Sequence, residues 1–481
     1  MTAFDLSSRR RIHVVGVGGP GMNALATCLV QMGHEVSGSD IRESEVIDRL
    51  RSIGVRVNIG HDPGLVDGCD AVTSSTAIPP SNVERVSARE KGIPDLSRAD
   101  MLSALCACRP TFAVAGTHGK TTTTSLLVRG LEVSGADPSY VVGADLVDRG
   151  SGARWSGGDV LVVEADESDG THLTLPLVGT ILTNIDRDHL DHYGGFDELV
   201  RGFETYLLGI EGPRVVCVDD PTIAAIVDRH PSPWWVTYGS SNRAQVRFHD
   251  VRSSDGVTTF AVRDQWGREH SVVSPLRGVH NVSNATAVIA LAGAMSAGVV
   301  SSDGGSDTTS TVIPIDADHV IEAVAGFGGV NRRFQIIGEA GGATFVDDYA
   351  HLPREIDAVL TAARSSGDGW SRVVAVFQPN RFNRMATMSP EYAHAFGAAD
   401  ALVLTDIYAS GTTPIAGVDG TLVLDAVRAA RPDLEIVYEA DRGRLAAVVS
   451  GLVRPGDVCV SMGCGDIETL PHEVIALRGG S

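Results

Sequence analysis

The chain has 481 residues and carries 39 lysines and arginines against 60 aspartates and glutamates, a formal net charge of -21 at pH 7. This length predicts about three domains, and the acidic balance argues against nucleic acid or an anionic membrane as the main partner. No apolar run approaches the roughly 20 residues that cross a bilayer, and residues 9–11 (RRR) precede a glycine turn instead of a signal-peptide core. Seven cysteines without a CxxC pair favour a reducing compartment and no structural zinc. We therefore expect a cytoplasmic protein that does not insert into a membrane.

The first predicted strand, Ile12–Val15, leads into a glycine turn and a helix. Residues 16–21 (GVGGPG) match the GxGxxG pattern of dinucleotide-binding turns, and Asp40 ends the next predicted strand at the spacing of a ribose-binding acid. Alone, this pattern predicts an NAD-dependent oxidoreductase. The same backbone N–H groups would also bind the diphosphate of a nucleotide sugar, so both interpretations stay open at this point.

A second strand–turn–helix unit begins at Phe112. Its turn, residues 116–119, would direct backbone N–H groups at a phosphate. Lys120, one of two lysines in the chain, would add a point charge to the β- and γ-phosphates, and the Thr121 hydroxyl can ligate Mg²⁺. The loop is a shortened form of GxxxxGK[ST], because Val114 stands where that pattern has glycine. It predicts a nucleoside triphosphate site.

Acidic residues follow the next strands of the same predicted sheet. Glu164 comes directly after the strand predicted at Val160–Val163, and the segment 184–192 (NIDRDHLDH) follows another strand. Because the carboxyl ends of parallel strands meet at one sheet edge, we expect Glu164 to lie beside the phosphate loop and to bind Mg²⁺. An oxidoreductase has no need for a second phosphate loop that contains a lysine. Two phosphate sites in succession favour an enzyme that joins ATP to a nucleotide-linked substrate.

The alternation of strand-length apolar runs with helical periodicity predicts an α/β fold with parallel sheets. Boundaries near Arg109–Pro110 and near the glycine-rich stretch 326–329 predict three domains. The N-terminal and C-terminal domains are predicted to be Rossmann-like, and the central domain to be P-loop ATPase-like with a mostly parallel sheet. The predicted domains are 1–109, 110–328 and 329–481.

Two stretches of the central domain differ from this alternation. Residues 257–262 (VTTFAV) alternate with period two, which predicts a small antiparallel part with one face exposed. Residues 301–311 are rich in Ser, Gly, Asp and Thr, which predicts a surface loop or a disordered insert.

Taken together, the motifs resemble the Mur ligase family from Arg11 to Ile467, nearly the whole chain. The markers are HVVGVGGPGM at 13–22, SSTAIPPSN at 74–82, GTHGKTTT at 116–123, EADESDG at 164–170, NIDRDHLDHYGG at 184–195, GVHNVSNA at 278–285, RRF at 332–334, DDYAHLP at 347–353, FQPNRFNR at 377–384, TDIYASG at 405–411 and MGCGDI at 462–467. Any one of them is a weak signal, whereas the set is highly specific.

The resemblance implies an ATP-dependent, amide-forming ligase of peptidoglycan precursor synthesis. The implied reaction joins L-alanine to the carboxylate of UDP-N-acetylmuramate through an acyl phosphate, with ATP and Mg²⁺ as cofactors. It also implies a domain for the UDP substrate, a central ATPase domain and a C-terminal domain that closes over ATP. The expected partners are these two substrates and no nucleic acid, and the expected state is a monomer or a weak homodimer.

By position, the resemblance implies a role for residues in all three domains. The implied ATP contacts are Gly116, Thr117, His118, Gly119, Lys120, Thr121, Thr122, Asn281, Arg332, Arg333 and Asp347. The implied metal ligands are Thr121, Glu164 and His189. The implied contacts of the UDP substrate are Gly18, Gly19, Gly21, Met22, Asp40 and Ser75. The implied contacts of the amino acid and the muramyl carboxylate are Tyr349, His351, Arg381 and Arg384, of which the last three, with Lys120, are expected to be catalytic.

Two positions near the implied acceptor site depart from the family pattern. Leu352 stands where the family has a second histidine before Pro353, and Asn380 replaces the histidine of the family's QPHR. An asparagine can donate and accept hydrogen bonds but cannot carry charge. Alanine is the expected amino acid. Glycine, serine or a recycled peptide stay open as alternatives, and an NAD-dependent oxidoreductase is the alternative from another class.

Overall fold

The computed structural model describes residues 3–146, 149–296 and 315–479. The chain divides into two compact units, where unit 1 comprises 1–249, 261–272 and 283–328, and unit 2 comprises 250–260, 273–282 and 329–481. The loop or insert predicted at 301–311 lies outside the described residues. Among the helices of the described ranges, none is both long and apolar enough to span a bilayer.

The first sheet, in unit 1, has five parallel strands in the order β3-β2-β1-β4-β5. The strands are β1 Arg11–Val15, β2 Glu35–Asp40, β3 Arg56–Ile59, β4 Ala71–Ser74 and β5 Asp95–Ser97. The helices are α1 Pro20–Gln31, α2 Glu45–Ser52, α3 Val83–Glu90 and α4 Arg98–Cys106. The strand order reverses between β1 and β4, and a crevice opens outside the carboxyl ends at such a point. The GxGxxG turn follows β1, and Ser75 follows β4.

The second sheet has ten strands in the order β15-β14-β13-β12-β11-β10-β6-β9-β7-β8. The strands are β6 Thr111–Ala115, β7 Ser139–Leu146, β8 Ser151–Arg154, β9 Leu161–Glu164, β10 Gly179–Leu182, β11 Arg214–Cys217, β12 Trp235–Gly239, β13 Val246–Ser254, β14 Val257–Arg263 and β15 Glu269–Ser274. The helices are α5 Lys120–Val133, α6 Leu190–Tyr193, α7 Phe196–Leu208, α8 Pro221–Arg229, α9 Val279–Ser296 and α10 Ala317–Ala325.

Strand β6 lies between β9 and β10 and is parallel to both. Its five residues are all buried, as expected for a parallel strand that is covered on both faces. The three segments that follow these strands therefore leave the same edge of the sheet. They are the phosphate loop 116–119, the acidic segment 164–170 and the segment 183–189.

Antiparallel structure is confined to the ends of this sheet. Asp255 and Gly256 join β13 to β14 with φ angles of 51° and 72°, the backbone of a two-residue hairpin. Strands β7 and β8 pair antiparallel at the other end. The predicted small antiparallel part is confirmed, and the β7–β8 hairpin is an addition that the alternation pattern did not predict.

The third sheet, in unit 2, has six strands in the order β16-β17-β21-β18-β19-β20. The strands are β16 Gln335–Ala340, β17 Ala343–Asp348, β18 Arg372–Phe377, β19 Ala401–Leu404, β20 Glu435–Tyr438 and β21 Asp457–Met462. The helices are α11 Pro353–Ser365, α12 Phe382–Met388, α13 Thr421–Ala430, α14 Arg442–Leu452 and α15 Leu470–Leu477. Only the β16–β17 pair is antiparallel among the strands of this sheet. The predicted α/β class with mostly parallel sheets is confirmed.

Candidate active site

The phosphate loop connects β6 to α5 through two glycines with positive φ angles. Gly116 has φ 124° and Gly119 has φ 80°, conformations that residues with a Cβ atom rarely adopt. A Cβ atom on Gly116 would overlap the Thr183 hydroxyl, and one on Gly119 would lie 2.7 Å from Asn284 Oδ1. Gly119 is also the N-cap of α5 and has no side chain to cap it. The N-terminus of this helix is therefore well suited to an anion.

The segment that follows β10 holds this loop in place. The Thr183 hydroxyl donates to His118 O at 2.6 Å, and the Asn184 side chain accepts from His118 N–H at 2.8 Å and donates to His118 O at 3.0 Å. Thr117 N–H donates to Asn184 O at 3.1 Å, and the Thr117 hydroxyl accepts from Asp186 N–H at 2.9 Å. The protein's own hydrogen bonds thus shape the loop, which lowers the entropic cost of ordering it around a ligand.

The Lys120 ammonium is bonded to four oxygen atoms. Nζ donates to Gly116 O at 2.6 Å and Thr117 O at 3.3 Å, and to the two carboxylate oxygens of Glu167 at 2.9 and 2.8 Å. Burial by itself lowers the pKa of Lys120, but the carboxylates of Glu167 and Asp166 raise that pKa above its ordinary value. Lys120 is therefore a full positive charge at the phosphate loop at neutral pH.

Thr121 and Glu164, two of the three predicted metal ligands, are in direct contact. The Thr121 hydroxyl donates to Glu164 Oε1 at 3.2 Å, and Gly143 N–H donates to Glu164 Oε2 at 2.9 Å. A hydroxyl and a carboxylate are ligands that Mg²⁺ takes, usually together with phosphate oxygens and water. Within the described ranges, no group of three or more His, Cys, Asp or Glu side chains is placed to hold a metal ion. A Mg²⁺ ion at Thr121 and Glu164 would therefore complete its shell with phosphate oxygens and water.

His189, the third predicted metal ligand, ends the segment 183–189, which leaves the same edge of the second sheet as the phosphate loop. Its Nε2 lies 3.2 Å from Asp188 Oδ2, and its backbone is in the left-handed region with φ 53°. Of the other predicted loop residues, the His118 ring lies 2.9 Å from Asp186 Oδ2, and Thr122 is buried in the first turn of α5.

The first glycine turn is closed by Asp40. Gly16 has φ 71° and donates its N–H to Ser39 O at 2.8 Å. Gly18 N–H donates to Asp40 Oδ2 at 2.9 Å, and a Cβ atom on Gly18 would lie 2.8 Å from the same oxygen. The structure thus brings together Gly18 and Asp40, two residues that the sequence places at the UDP substrate.

The other predicted contacts of the UDP substrate surround this turn. Gly19 is the N-cap of α1, and Ser75 comes directly after β4. Met22 is 1% exposed and belongs to the hydrophobic core. A Cβ atom on Gly21 would lie 3.0 Å from Arg98 Cδ, so the Arg98 stem packs on the turn.

The Arg98 guanidinium also reaches the acidic segment 164–170. Its Nη2 donates to Asp169 Oδ2 at 3.0 Å and to the Thr171 hydroxyl at 3.3 Å, and it lies 3.5 Å from Asp166 Oδ2. Burial raises the pKa of Asp169, but the hydrogen bond from the Thr171 hydroxyl and the charge and hydrogen bond of Arg98 bring that pKa below its ordinary value. The acidic segment is therefore paired with Arg98 on one side and with Lys120 on the other.

In unit 2, Arg332 makes three polar contacts within its own unit. Nε donates to Asp347 Oδ2 at 2.9 Å, Nη2 donates to Gly463 O at 2.7 Å, and Nη1 lies 2.8 Å from Glu468 Oε2. Burial raises the pKa of Asp347 although Arg332 opposes that shift. The guanidinium carbon of the adjacent Arg333 lies 5.4 Å from the centroid of the Tyr349 ring, a cation–π contact.

The predicted acceptor residues follow strands β17 and β18 of the third sheet. His351 Nδ1 lies 3.1 Å from Tyr349 O and 3.4 Å from Glu355 Oε2, and the Tyr392 hydroxyl donates to His351 O at 2.7 Å. Tyr349 is 36% exposed and contacts the His351 ring edge to face at 5.4 Å. These contacts fix the imidazole of His351 beside an exposed tyrosine.

Arg381 and Arg384 are held by their local backbone and by Asn380. Arg384 Nη1 donates to Asn380 Oδ1 at 2.8 Å, and both side chains are buried. Arg381 has φ 62° and donates its N–H to Tyr408 O at 2.9 Å. Asn380, where the sequence departs from the family pattern, therefore orients Arg384.

Asn281, one of the predicted ATP contacts, donates its side-chain amide to Arg277 O at 2.8 Å.

Comparison with known proteins identifies the family. Models of Mur ligase domains match in three places: the Mur ligase family catalytic domain over 11–109, the Mur ligase middle domain over 114–292 and the Mur ligase, glutamate ligase domain over 332–465. The UDP-N-acetylmuramate–L-alanine ligase of Azorhizobium caulinodans is 40% identical over 464 residues, 95% of each chain. That of Bradyrhizobium diazoefficiens is 41% identical over 97% of this chain and 98% of its own. This chain belongs to the Mur ligase family.

Solved structures of Mur ligases share the architecture. The UDP-N-acetylmuramate–alanine ligase MurC of Thermotoga maritima is 27% identical, with a TM-score of 0.78 over 98% of this chain and 99% of its own. The murein peptide ligase of Psychrobacter arcticus is 20% identical, with a TM-score of 0.67 over 98% of this chain and 99% of its own, and shares the fold.

Three contacts at this Mur ligase site involve residues that the sequence analysis did not single out. Glu167 binds Lys120, Arg98 links Gly21 to the acidic segment, and Asn284 packs against Gly119. Glu167 and Asn284 lie inside motifs quoted for the family, EADESDG and GVHNVSNA. Their presence in these motifs was the available signal, but the motifs do not say which of several polar residues faces the loop.

Proposed function

We propose that this protein is an ATP- and Mg²⁺-dependent ligase that joins L-alanine to the carboxylate of UDP-N-acetylmuramate in peptidoglycan precursor synthesis. The observation that carries the proposal is the phosphate loop, where Lys120 donates to the Gly116 and Thr117 carbonyls and the Thr121–Glu164 pair lies beside it. Relatives named for this reaction, at about 40% identity over nearly the whole chain, support the choice of substrates. The enzyme acts in the cytoplasm as a monomer or a weak homodimer.

Unit 1 supplies the phosphoryl donor site and the site of the UDP substrate. Lys120 and the N-terminus of α5 bind the β- and γ-phosphates, since a compact ammonium and helix N–H groups stabilise the charge that moves during transfer. Thr121 and Glu164 would hold Mg²⁺, with His189 for a second ion, and the bound ion neutralises phosphate charge. Gly18 and its neighbours bind the diphosphate of the UDP substrate, with Asp40 at a ribose.

Unit 2 supplies cations and hydrogen-bond donors for the acceptor and for ATP. Arg381 and Arg384 bind carboxylates, because guanidinium groups match carboxylate geometry. Tyr349 and His351 line the amino-acid site. Arg333, or Arg332 after release of its present contacts, binds a phosphate.

The proposed chemistry takes place in two steps. A carboxylate oxygen of the muramyl group attacks the γ-phosphorus, and the bond from that phosphorus to the bridging oxygen breaks, which releases ADP. The uncharged amine of L-alanine then attacks the acyl carbon, and the carbon–oxygen bond to the phosphate breaks. The nitrogen loses one proton, and phosphate leaves. The protein forms no covalent bond and acts by bringing anions together and stabilising their charge.

A phosphate-release assay with a panel of amino acids tests this proposal. We expect release only when ATP, Mg²⁺, UDP-N-acetylmuramate and an amino acid are all present, with L-alanine giving the highest kcat/KM. Preference for glycine, serine or a recycled peptide would instead identify a Mur-like ligase that adds another amino acid or a recycled peptide to UDP-N-acetylmuramate. ATP turnover that does not depend on UDP-N-acetylmuramate, or a change in NADH absorbance with a nicotinamide cofactor, would contradict the ligase.

A further inference from the structure

The Lys120 ammonium is saturated with hydrogen-bond acceptors that the protein itself supplies. An ammonium has three donor hydrogens, and here they face two backbone oxygens and both oxygens of the Glu167 carboxylate. The contacts with Gly116 O and Thr117 O hold the ammonium at its own loop, the position from which it would also bind a nucleotide phosphate. The Glu167 contact differs, because it supplies a negative charge that a phosphate oxygen would otherwise supply.

We propose that Glu167 is a positioning residue that stands in for a phosphate on Lys120: its carboxylate holds the ammonium in the empty loop and gives it up when the nucleotide's phosphates bind. The proposal rests on the proposed function, since it takes the phosphate loop to be a nucleotide site. Nucleotide binding at this loop is then an exchange of anions on Lys120, in which a phosphate replaces the Glu167 carboxylate.

Burial makes this exchange consequential. The Glu167 side chain is 2% exposed and the Lys120 side chain 14% exposed, so neither charge is well solvated if it loses its partner. A phosphate that arrives while Glu167 stays in place would add negative charge beside the carboxylates of Glu167 and Asp166. Burial raises the pKa of Glu167 to about 7 against the opposing effect of Lys120, so the carboxylate can also take up a proton as it leaves the ammonium.

The backbone of Glu167 is anchored while its side chain makes the exchange. The Tyr193 hydroxyl donates to Glu167 O at 2.8 Å, and Gly170 N–H donates to the same oxygen at 3.1 Å. In the proposed exchange the glutamate side chain therefore rotates about a fixed backbone to release Lys120. The same rotation in reverse would recapture the lysine after the products leave.

Glu167→Gln tests this role because it removes the charge and keeps the shape. In the empty loop the variant leaves the Lys120 charge without its carboxylate, a cost that a bound phosphate relieves. We expect the Kd for ADP and for a non-hydrolysable ATP analogue, measured by calorimetric titration, to fall about tenfold. We also expect the free protein to melt at a lower temperature and the nucleotide to raise that temperature more than in the unmodified protein.

Asp169→Asn is the matched control, since it removes an equal charge from the same segment. Asp169 pairs with Arg98, and no contact with Lys120 is described for it, so its nucleotide Kd should change less than twofold. Equal tightening in both variants would overturn the proposal in favour of general charge removal. Unchanged or weaker binding in Glu167→Gln would overturn it as well. Absence of nucleotide binding to the unmodified protein would instead contradict the proposed function.

Discussion

Unit 1 contains two glycine-rich strand–turn–helix motifs that have similar backbones and differ in charge. In the first, residues 16–21 include no lysine or arginine of their own, and Asp40 accepts the Gly18 N–H. In the second, the turn after β6 carries Lys120, which Glu167 binds with both oxygens. Both turns present helix N–H groups to an anion. In the proposed function, the added side chains would select the ligand: Asp40 near a ribose for a nucleotide diphosphate, and Lys120 beside the oxygens of Thr121 and Glu164 for a triphosphate.

In both turns a carboxylate accepts a hydrogen bond, from the turn backbone in the first and from the lysine in the second. Asp40 takes the Gly18 N–H at 2.9 Å, and Glu167 takes the Lys120 ammonium at 2.8 Å. The comparison indicates that charge, more than backbone shape, distinguishes the two sites, and variants of each turn test this.

The largest effect is expected from Lys120→Ala. Loss of the ammonium removes a charge that stabilises phosphate transfer, and kcat/KM for ATP should fall about 10³-fold. Lys91→Ala is the matched control, because the other lysine of the chain is half exposed and pairs with Asp67; phosphate release should be unaffected. Retention of more than a tenth of the activity in Lys120→Ala would show that the second turn does not depend on its cation.

Gly116→Ala tests the backbone of the second turn. Gly116 has φ 124°, and the new methyl group would overlap the Thr183 hydroxyl. We therefore expect the free energy of unfolding to fall by about 2–4 kcal/mol. Nucleotide binding should be weaker by about 100-fold. Gly135→Ala is the control, since Gly135 has φ 82° with nothing within 4 Å of the added Cβ. It should cost about 1 kcal/mol and leave nucleotide binding as it is. Chemical denaturation and calorimetric titration measure the two quantities, and similar results for both variants would contradict this account.

Asp40→Ala tests the first turn separately. Without the carboxylate, the Gly18 N–H loses its acceptor and the ribose its expected partner, so the KM for UDP-N-acetylmuramate should rise about tenfold. The KM for ATP should stay constant. The control is Asp48→Ala in helix α2, whose exposed side chain pairs with Arg51. Equal increases in both KM values for Asp40→Ala would mean that the two turns are not separate sites.

The sequence predicted the backbone of these turns better than their side-chain partners. The motifs GxGxxG and GxxGKT predict positive φ angles and the starts of helices, which are local properties of the chain. The contact between Glu164 and Thr121 follows from the parallel strand order, as expected. The contacts of Glu167 and Arg98 depend on the rotamers of acidic residues in one short segment, 164–170. Adjacent acids in a loop can face either way, and no period in the sequence decides between Lys120 and Arg98 as the partner. The predicted domain boundaries at 109 and 328 and the individual ligand contacts stay predictions.

The smallest effect concerns a histidine two residues after the acidic segment 164–170. His172 is buried against the rings of Phe203 and Tyr206 at 5.4 and 5.3 Å, and within the described residues neither of its ring nitrogens has a hydrogen-bond partner. Burial lowers the pKa of His172 to about 4. The unfolded chain binds a proton at this residue near pH 6.5, whereas the folded protein does not. The free energy of unfolding should therefore decrease as the pH falls from about 6.5 towards 4, by about 1.4 kcal/mol per pH unit from this group.

His172→Phe should remove this contribution and keep the ring packing. Other groups near the second turn also titrate in this range, Glu167 among them, so the quantity to compare is the difference in unfolding free energy between the unmodified protein and the variant at pH 7.5 and pH 5. We expect the variant to gain about 2 kcal/mol relative to the unmodified protein over this interval, with kcat at pH 7.5 within about twofold. A constant difference across the interval would show that His172 is protonated, or open to water, in the folded protein. In that case the effect of acid near the second turn would come from Glu167 and not from His172.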